Sequence, residues 1–254
     1  MSDFGTTDHY VAAVKAKILS VNPSVNIVDI SHYIDAHNLA HAAYVLGSCF
    51  RMFPKGTVHL AAVDSVSNRS ERYIAVNLEG HFFIGCDNGL FGLISEKEPA
   101  FIAELLNQSG EVFTFPARDI MAKAAALLAS GSNLDDVGKF SKEYQRLIGR
   151  KPKATKKQIS GHVIRVDHYG NLITNIDGEV FNTLSKEKKY SVCFAREKVR
   201  KVNKNFSEVE SGDCFVLFNS GGLLEIGINK GNAAELLGLR YDSPVNIIFD
   251  EENV

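Results

Sequence analysis

Residues 57–64 read TVHLAAVD, a short apolar run that ends in Asp64. This pattern is typical of a buried strand whose carboxyl end carries a polar side chain. A helical pattern precedes it over residues 36–53, and two more strand patterns follow over residues 72–78 and 81–86. Strands that alternate with helices predict an α/β domain with a mostly parallel sheet, covered by helices on both faces.

Three more patterns lie farther from this strand. Residues 10–21 (YVAAVKAKILSV) and 117–131 (ARDIMAKAAALLASG) have apolar residues at helical spacing. Residues 25–31 (VNIVDIS) form a β-branched run that predicts another buried strand. We therefore expect an N-terminal α/β domain over residues 1–148.

The character of the sequence changes at residues 149–158 (GRKPKATKKQ), which are basic and polar and lack apolar periodicity. This stretch predicts a linker or an exposed crossing segment, with a nucleic-acid contact as the alternative. Short strand patterns follow it, several of them separated by glycine-rich turns, over residues 161–167, 171–176, 189–195, 213–220, 223–229 and 243–249. They predict a smaller antiparallel sheet or β-barrel domain over residues 159–254.

The composition argues against several classes of function. The chain has 254 residues, 45% of them apolar, and a formal net charge of −2, so its charge does not indicate nucleic acid or an anionic membrane as a partner. No apolar run approaches the ~20 residues that span a bilayer, and no signal peptide is visible. The four cysteines are widely spaced and are expected to be free thiols of a cytoplasmic protein: Cys49, Cys86, Cys193 and Cys214.

Polar residues recur where strand patterns end, for example Asp29, Asp64, Asp167 and Asn219. In open α/β sheets, ligands bind beyond the carboxyl ends of the strands. Asp and Asn at such positions also cap turns without any ligand. Each residue taken alone fits the capping role, whereas the set as a whole favours a binding site.

Eight short motifs occur in an order that resembles one protein family. They are SDFGTTDHYVAAVK (2–15), VDISH (28–32), FPKGTVHLAAVD (53–64), DNGL (87–90), ARDI (117–120), DHYGNLITNI (167–176), NSGG (219–222) and NKGNAA (229–234). On these motifs the chain resembles, over nearly its whole length, the S-adenosylmethionine hydroxide adenosyltransferases, which are relatives of the bacterial fluorinase and chlorinase. The resemblance implies an N-terminal α/β domain and a C-terminal β-barrel domain. It also implies a homotrimer that holds its ligand between one subunit's N-terminal domain and the next subunit's C-terminal domain.

The resemblance assigns ligand contacts to four residues of the N-terminal half. Asp3 matches the aspartate that holds the ribose hydroxyls, which suits a carboxylate because it accepts from both hydroxyls. Asp8 and Tyr10 match positions near the methionine part of the ligand. His37 stands where the fluorinase has a tryptophan over the ribose, so it either lines the site or is a surface histidine. The family's strand before Asp3 is not seen in this sequence, either because the true start lies upstream of Met1 or because the strand is missing. If it is missing, we expect an open sheet edge with Asp3 on a fraying terminus and weaker ligand binding.

The resemblance also assigns ligand contacts to six residues of the C-terminal half: Asp167, Tyr169, Asn171, Phe206, Ser220 and Asn232. Asp167 matches the residue that takes the methionine ammonium, for which a carboxylate is the natural partner. Tyr169 would pack against adenine, and the amide of Asn171 would hydrogen-bond it. Ser220 matches a serine that binds the methionine carboxylate, while Phe206 and Asn232 are adenine neighbours.

For the reaction itself, Asp64 matches the aspartate of an Asp-Arg-His set that surrounds the attacking water. The arginine position is Glu71 in this chain, flanked by Arg69 and Arg72, which are out of register but are alternatives for reaching the site. The histidine position is Pro116. Ala117 stands where the fluorinase has a halide-binding serine, which argues against a halogenase. His59 shares a strand pattern with Asp64, but on an extended strand the two would face opposite sides, so we do not expect His59 to replace the missing histidine.

Two functional hypotheses follow. The first is an S-adenosylmethionine hydrolase, in which water attacks the ribose C5′ and methionine leaves. The leaving group is already cationic and needs no acid, so the protein mainly aligns and desolvates the water. The second is a protein that binds S-adenosylmethionine or adenosine without turnover, because two of the three catalytic groups are replaced; the many retained ligand positions argue against a purely structural remnant. No cofactor besides the substrate and no metal site is expected, since the histidines and acids lack ligand spacing such as HExxH.

Overall fold

The computed structural model describes residues 1–66, 72–105 and 113–250. The chain divides into two units, Met1–Gly149 and Arg150–Val254.

The described part of the N-terminal unit contains both helices and strands, and its first three strands are consecutive in the chain. The helices are α1 (Tyr10–Val21), α2 (Leu39–Cys49), α3 (Leu90–Ile94), α4 (Ala122–Ala129) and α5 (Leu134–Val137). The strands are β1 (Val58–Ala61), β2 (Tyr73–Leu78), β3 (His81–Cys86), β4 (Phe101–Leu105) and β5 (Gly138–Phe140). A 3₁₀ turn, Phe50–Met52, follows α2, and a π-helical turn, Ala117–Met121, leads into α4.

These five strands form one sheet in the order β1-β3-β2-β4-β5. β1 pairs with β3 in parallel, whereas the β3–β2, β2–β4 and β4–β5 pairs are antiparallel. The connection between β2 and β3 consists of Glu79 and Gly80, both with positive φ, and such a two-residue turn produces a tight hairpin. The α/β class is confirmed, but the sheet is mixed, so the prediction of a mostly parallel sheet was wrong.

Helices cover both faces of this sheet. Side chains alternate between the two faces along a strand, so Ala61 and Val63 lie in one core and Ala62 lies in the other. α1 and α4 share the core of Ala62, and α2 and α3 share the core of Ala61 and Val63. This layered arrangement places the carboxyl end of β1, and therefore Asp64, between the two helical layers.

The first three residues act as a short strand beside β1. Ser2 forms a parallel bridge with Ala62, the Met1 amino group donates to Leu60 O at 2.8 Å, and Ala62 N–H donates to Met1 O at 3.0 Å. Met1 and Ser2 are both buried. The expected open edge with Asp3 on a fraying terminus was therefore wrong, because residues 1–3 themselves pair along β1.

Residues 25–31 differ from their prediction. They do not form a strand, and their side chains are half-buried or exposed, with Val28 57% exposed. Ser31 O accepts from the Ser2 backbone N–H at 3.0 Å, so the segment lies beside residues 1–3 at only one end. The prediction of a buried strand here was wrong, since β-branched residues alone do not determine whether a segment finds a pairing partner.

The C-terminal unit is built almost entirely of antiparallel strands. The strands are β6 (Lys153–Ala154), β7 (Gln158–Val166), β8 (Leu172–Asp177), β9 (Tyr190–Phe194), β10 (Glu197–Val199), β11 (Cys214–Phe218), β12 (Leu223–Ile228) and β13 (Pro244–Phe249). Two helices, α6 (Gly178–Leu184) and α7 (Ala233–Leu237), connect them. β6 pairs with β7, so part of the stretch 149–158 belongs to this sheet.

The sheet runs in the order β10-β9-β13-β7-β8-β12-β11 and curls into a nearly closed barrel. Asn203, which follows β10, bridges Leu217 of β11, so the two ends of the strand order meet. Val192, Val216 and Val245 come from different strands and share one buried core. The predicted small β-barrel is confirmed.

Candidate active site

Asp3 joins two loops of the N-terminal unit. Its Oδ2 accepts from the backbone N–H groups of His37 and Asp64, each at 3.1 Å. Both donors have a left-handed backbone, with φ of 60° at His37 and 47° at Asp64. Non-glycine residues rarely adopt this conformation, and the surrounding structure must hold them there. Among the described residues the other oxygen, Oδ1, has no hydrogen-bond partner, which leaves it available as an acceptor.

The side chains of His37 and Asp64 form a pair. His37 Nδ1 lies 2.9 Å from Asp64 Oδ1. The His37 side chain is 76% exposed and the Asp64 side chain 28% exposed. A carboxylate and an imidazole that face solvent beside a strand end can accept and move a proton. Both residues were predicted as site residues, but their pairing was not. Residue types alone do not reveal the left-handed backbone that brings the two side chains together.

The DNGL motif positions the Asp64 loop. Asn88 Nδ2 donates to Val63 O at 3.0 Å and to Asp64 O at 3.4 Å. Next to it, burial raises the pKa of the Asp87 carboxyl, while the Gln145 backbone N–H and Arg72 oppose this shift. Asn88 was not predicted as a site residue, although its motif was part of the signal.

Tyr10 and Asp8 lie at the start of α1. The Tyr10 ring packs against Phe4 and Phe115, with centroid distances of 6.0 Å and 5.4 Å, and remains 42% exposed. Asp8 is exposed. Phe4 follows Asp3 directly in the chain, so the contact between the Phe4 and Tyr10 rings brings Tyr10 close to the Asp3 loop.

The positions of the missing catalytic groups have distinct surroundings. Pro116 and Ala117 are buried at the start of the π-helical turn, so no imidazole and no hydroxyl is available there. Glu71, at the family's arginine position, lies outside the described residues, as does Arg69. His59 is buried against Phe83 and points its Nε2 to His81 Nδ1 at 3.4 Å, within the core and not with Asp64.

In the C-terminal unit, Asp167 organises the turn between β7 and β8. Its Oδ1 accepts from the backbone N–H groups of Tyr169 and Asn171 at 2.9 Å and 2.8 Å, and its Oδ2 accepts from Asn171 Nδ2 at 3.2 Å. Tyr169 is 76% exposed, whereas Asn171 is buried. The turn thus displays an aromatic ring next to a carboxylate, which are the groups needed to contact a base and an ammonium.

Asn232 lies against the same turn. It is the N-cap of α7, where its Oδ1 accepts from the Glu235 backbone N–H at 3.1 Å. Gly170 in the turn has a φ of 83°, and a Cβ there would overlap the Asn232 side chain. Ala234 N–H also donates to Gly170 O at 2.9 Å. The structure therefore brings Asn232 together with Asp167, Tyr169 and Asn171.

Ser220 is exposed in the hairpin turn between β11 and β12. The register Leu223–Asp177 and Ile226–Leu172 places this turn near the end of β8, away from the Asp167 turn at its start. The buried Glu225 lies between them, where burial raises its pKa and hydrogen bonds from Asn219 and Asn171 oppose the shift. Glu225 was not predicted, although a single carboxylate within the apolar run LLEIGI was a visible signal.

Phe206 is half exposed and stacks edge-on against Phe215, with a centroid distance of 5.0 Å. It lies in a 3₁₀ turn, Phe206–Glu208, that Asn205 caps. Phe215 lies over Gly227 together with Asn171 of the Asp167 turn, so Phe206 is linked to this turn through Phe215.

The described residues contain neither a metal cluster nor a membrane-spanning helix. Within residues 1–66, 72–105 and 113–250, no group of three or more His, Cys, Asp and Glu side chains is arranged to hold a metal ion. In the same part of the chain, none of the helices has the length and apolar character required to cross a bilayer.

Comparison with known families gives the context for this geometry. A model of the SAM hydroxide adenosyltransferase N-terminal domain matches residues 1–138, and a model of the corresponding C-terminal domain matches residues 161–246. This chain belongs to the SAM hydroxide adenosyltransferase family. The two matched regions include every candidate site residue in both units.

Individual relatives agree with this family. An (R)-S-adenosyl-L-methionine hydrolase of Thermus thermophilus is 33% identical, over 98% of this chain and 98% of that protein. One of Methanocaldococcus jannaschii is 31% identical, over 98% of this chain and 94% of that protein. Among solved structures, an uncharacterized conserved protein from Thermotoga maritima has a TM-score of 0.89 and 33% identity, over 97% of this chain and 98% of that chain.

Proposed function

We propose that this protein hydrolyses S-adenosyl-L-methionine to adenosine and methionine. Water attacks the ribose C5′, the C5′–S bond breaks, and the electron pair stays on the methionine sulfur. The observation that carries the proposal is the cluster of Asp3, His37 and Asp64, in a chain that matches (R)-S-adenosyl-L-methionine hydrolases along nearly its whole length.

Each candidate residue has a task in this reaction. Asp3 Oδ1 accepts from the ribose hydroxyls, while Oδ2 keeps the two loops in place. Asp167 binds the methionine ammonium by charge, and Tyr169 packs against the adenine ring. Because the sulfonium is a good leaving group, positioning and desolvation of the water account for much of the rate.

We also propose a homotrimer in the cytoplasm, with each ligand between one subunit's N-terminal unit and the next subunit's C-terminal unit. The support is family membership together with the division of the candidate residues between the two units. Four free cysteines support a reducing compartment.

The test is incubation of the purified protein with the separated (R) and (S) sulfonium epimers of S-adenosylmethionine, followed by chromatography. Adenosine that accumulates in proportion to protein supports the proposal, and the names of the relatives lead us to expect it from the (R) epimer. A parallel incubation with chloride checks for a chlorinated nucleoside, which would indicate a halogenase instead.

The buried Pro116 at the family's histidine position favours one alternative, a protein that binds the ligand without turnover. Intact S-adenosylmethionine after long incubation, combined with tight binding by calorimetry, would support this alternative. Neither turnover nor binding would contradict both functions.

A further inference from the structure

We propose that His37 is the general base of this enzyme and that Asp64 orients it. His37 Nε2 would accept the proton of the attacking water, in the role that the buried Pro116 cannot perform. This inference rests on the proposed hydrolysis and assigns the proton transfer within it to a residue pair.

The backbone holds the pair in place. Asp3 Oδ2 receives the N–H groups of both His37 and Asp64, so one carboxylate fixes the two loops relative to each other. Both residues adopt left-handed φ values. Residues in this conformation persist where the surrounding structure holds them, and they cluster at active sites.

The chemistry of the contact decides which ring nitrogen is free. An ionised carboxylate can only accept hydrogen bonds, so the 2.9 Å contact requires His37 Nδ1 to carry the hydrogen that it donates to Asp64 Oδ1. Nε2 of the neutral ring then carries the lone pair. With the side chain 76% exposed, Nε2 is open to a water molecule. Asp64 also stabilises the imidazolium that forms when Nε2 takes a proton.

Other histidines of the N-terminal unit are engaged elsewhere. His32 lies between Ser2 Oγ, at 2.7 Å, and Asp29 Oδ1, at 3.1 Å. His59 and His81 are buried together in the core. His37 differs from these three because it combines an exposed ring with a contact to Asp64.

The step balances without any further reactant. One O–H bond of water breaks, and its proton moves to His37 Nε2 while the oxygen forms a bond to C5′. The C5′–S bond breaks, and its electron pair remains on the sulfur, which becomes the neutral thioether of methionine. The imidazolium then returns its proton to solvent, which restores the neutral pair.

Two variants test this assignment. His37→Asn keeps a side-chain N–H donor and a residue that tolerates left-handed φ, but it removes the base. His37→Gly tolerates the same φ and leaves room for free imidazole from solution. For both variants, adenosine formation, KM and the affinity for adenosine by calorimetry are compared with wild type.

We expect kcat to fall by about 10²-fold or more in both variants, the range typical for loss of a general base. KM and adenosine affinity should stay close to wild type, and added imidazole should restore a large part of kcat in His37→Gly. A purely structural role would not give this rescue.

The assignment is overturned if His37→Asn keeps a wild-type kcat, or if imidazole does not restore the kcat lost in His37→Gly. These results differ from a failure of the proposed function, in which the wild-type protein itself releases no adenosine.

Discussion

At the scale of single residues, one carboxylate determines the geometry of the N-terminal half of the site. Asp3 was predicted from family resemblance as the ribose contact, and that role stays a prediction. Its contacts to the His37 and Asp64 backbones could not be read from the sequence. Left-handed φ values are most often signalled by glycine or asparagine, and here they occur at a histidine and an aspartate.

We expect Asp3→Ala to weaken adenosine binding and to lower stability together. Two backbone N–H groups would lose their acceptor, and an unpaired donor costs about 1–3 kcal/mol where it is shielded from water. Calorimetric binding and chemical denaturation measure the two effects. Asp8→Ala removes an exposed carboxylate and is the control for stability, which it should leave unchanged. Unchanged affinity in Asp3→Ala would contradict the ribose assignment.

The buried His59 gives a prediction about pH. Burial, followed by the neighbouring His81 and the amino terminus, lowers the pKa of His59 from 6.5 to about 4. Between these values the unfolded chain binds more protons than the folded one, so this group makes stability rise with pH from 4 to 6.5. The free energy of unfolding should gain about 2 kcal/mol from His59 between roughly pH 5 and pH 7.5.

Denaturation of wild type and His59→Phe at the two pH values isolates this contribution. The variant should lose less stability in acid than wild type does. His9→Phe removes an exposed imidazole and is the control, which should keep the wild-type pH dependence. Equal acid sensitivity in wild type and His59→Phe would contradict a pKa of His59 that is lowered by folding.

At the scale of elements, the helices and strands were largely predictable, and their partners were not. The helix at residues 10–21 appears as α1 with those bounds, and the strand patterns of the C-terminal half correspond to observed strands. Periodicity reports which face of an element is buried, but strand direction depends on connections. The hairpin turn Glu79–Gly80 makes the sheet mixed, and residues 25–31 lack a strand partner that their composition suggested.

The turn between β7 and β8 yields a prediction at this scale. In Gly170→Ala, the new Cβ would overlap Asn232, and the φ of 83° disfavours alanine, so the turn must shift. We expect weaker adenosine binding and a loss of stability of about 1–3 kcal/mol. Gly212→Ala carries similar backbone strain, at a φ of 94° but with open space around it, and is the control for strain alone. Equal adenosine affinity in both variants would contradict a role of this turn in binding.

At the scale of the whole molecule, the division into an α/β unit and a β-barrel unit agrees with the two family regions. Composition and strand spacing were sufficient to predict both fold classes, because each unit has its own core. The arrangement of subunits depends on surface complementarity, which periodicity does not report.

For the proposed trimer, sedimentation equilibrium should give a species of three times the 27.9 kDa chain mass. Mixing two inactive proteins, Asp64→Ala and Asp167→Ala, then tests whether sites are shared between subunits. If each site combines Asp64 of one subunit with Asp167 of the next, a mixed trimer contains some sites that carry both substitutions and others that carry neither. The intact sites should restore part of the activity. Activity that stays absent after subunit exchange would contradict shared sites.

The pairing of Ser2 with Ala62 has a consequence for the order of folding. The hairpin of β2 and β3 joins neighbours in sequence and can close early, whereas residues 1–3 pair with a segment some sixty positions later in the chain. Asp3 reaches the loops of His37 and Asp64 only once that distant pairing has closed. The Asp3 cluster would thus form later than the local hairpin, so a partly folded chain that contains only the hairpin would lack the proposed ribose contact.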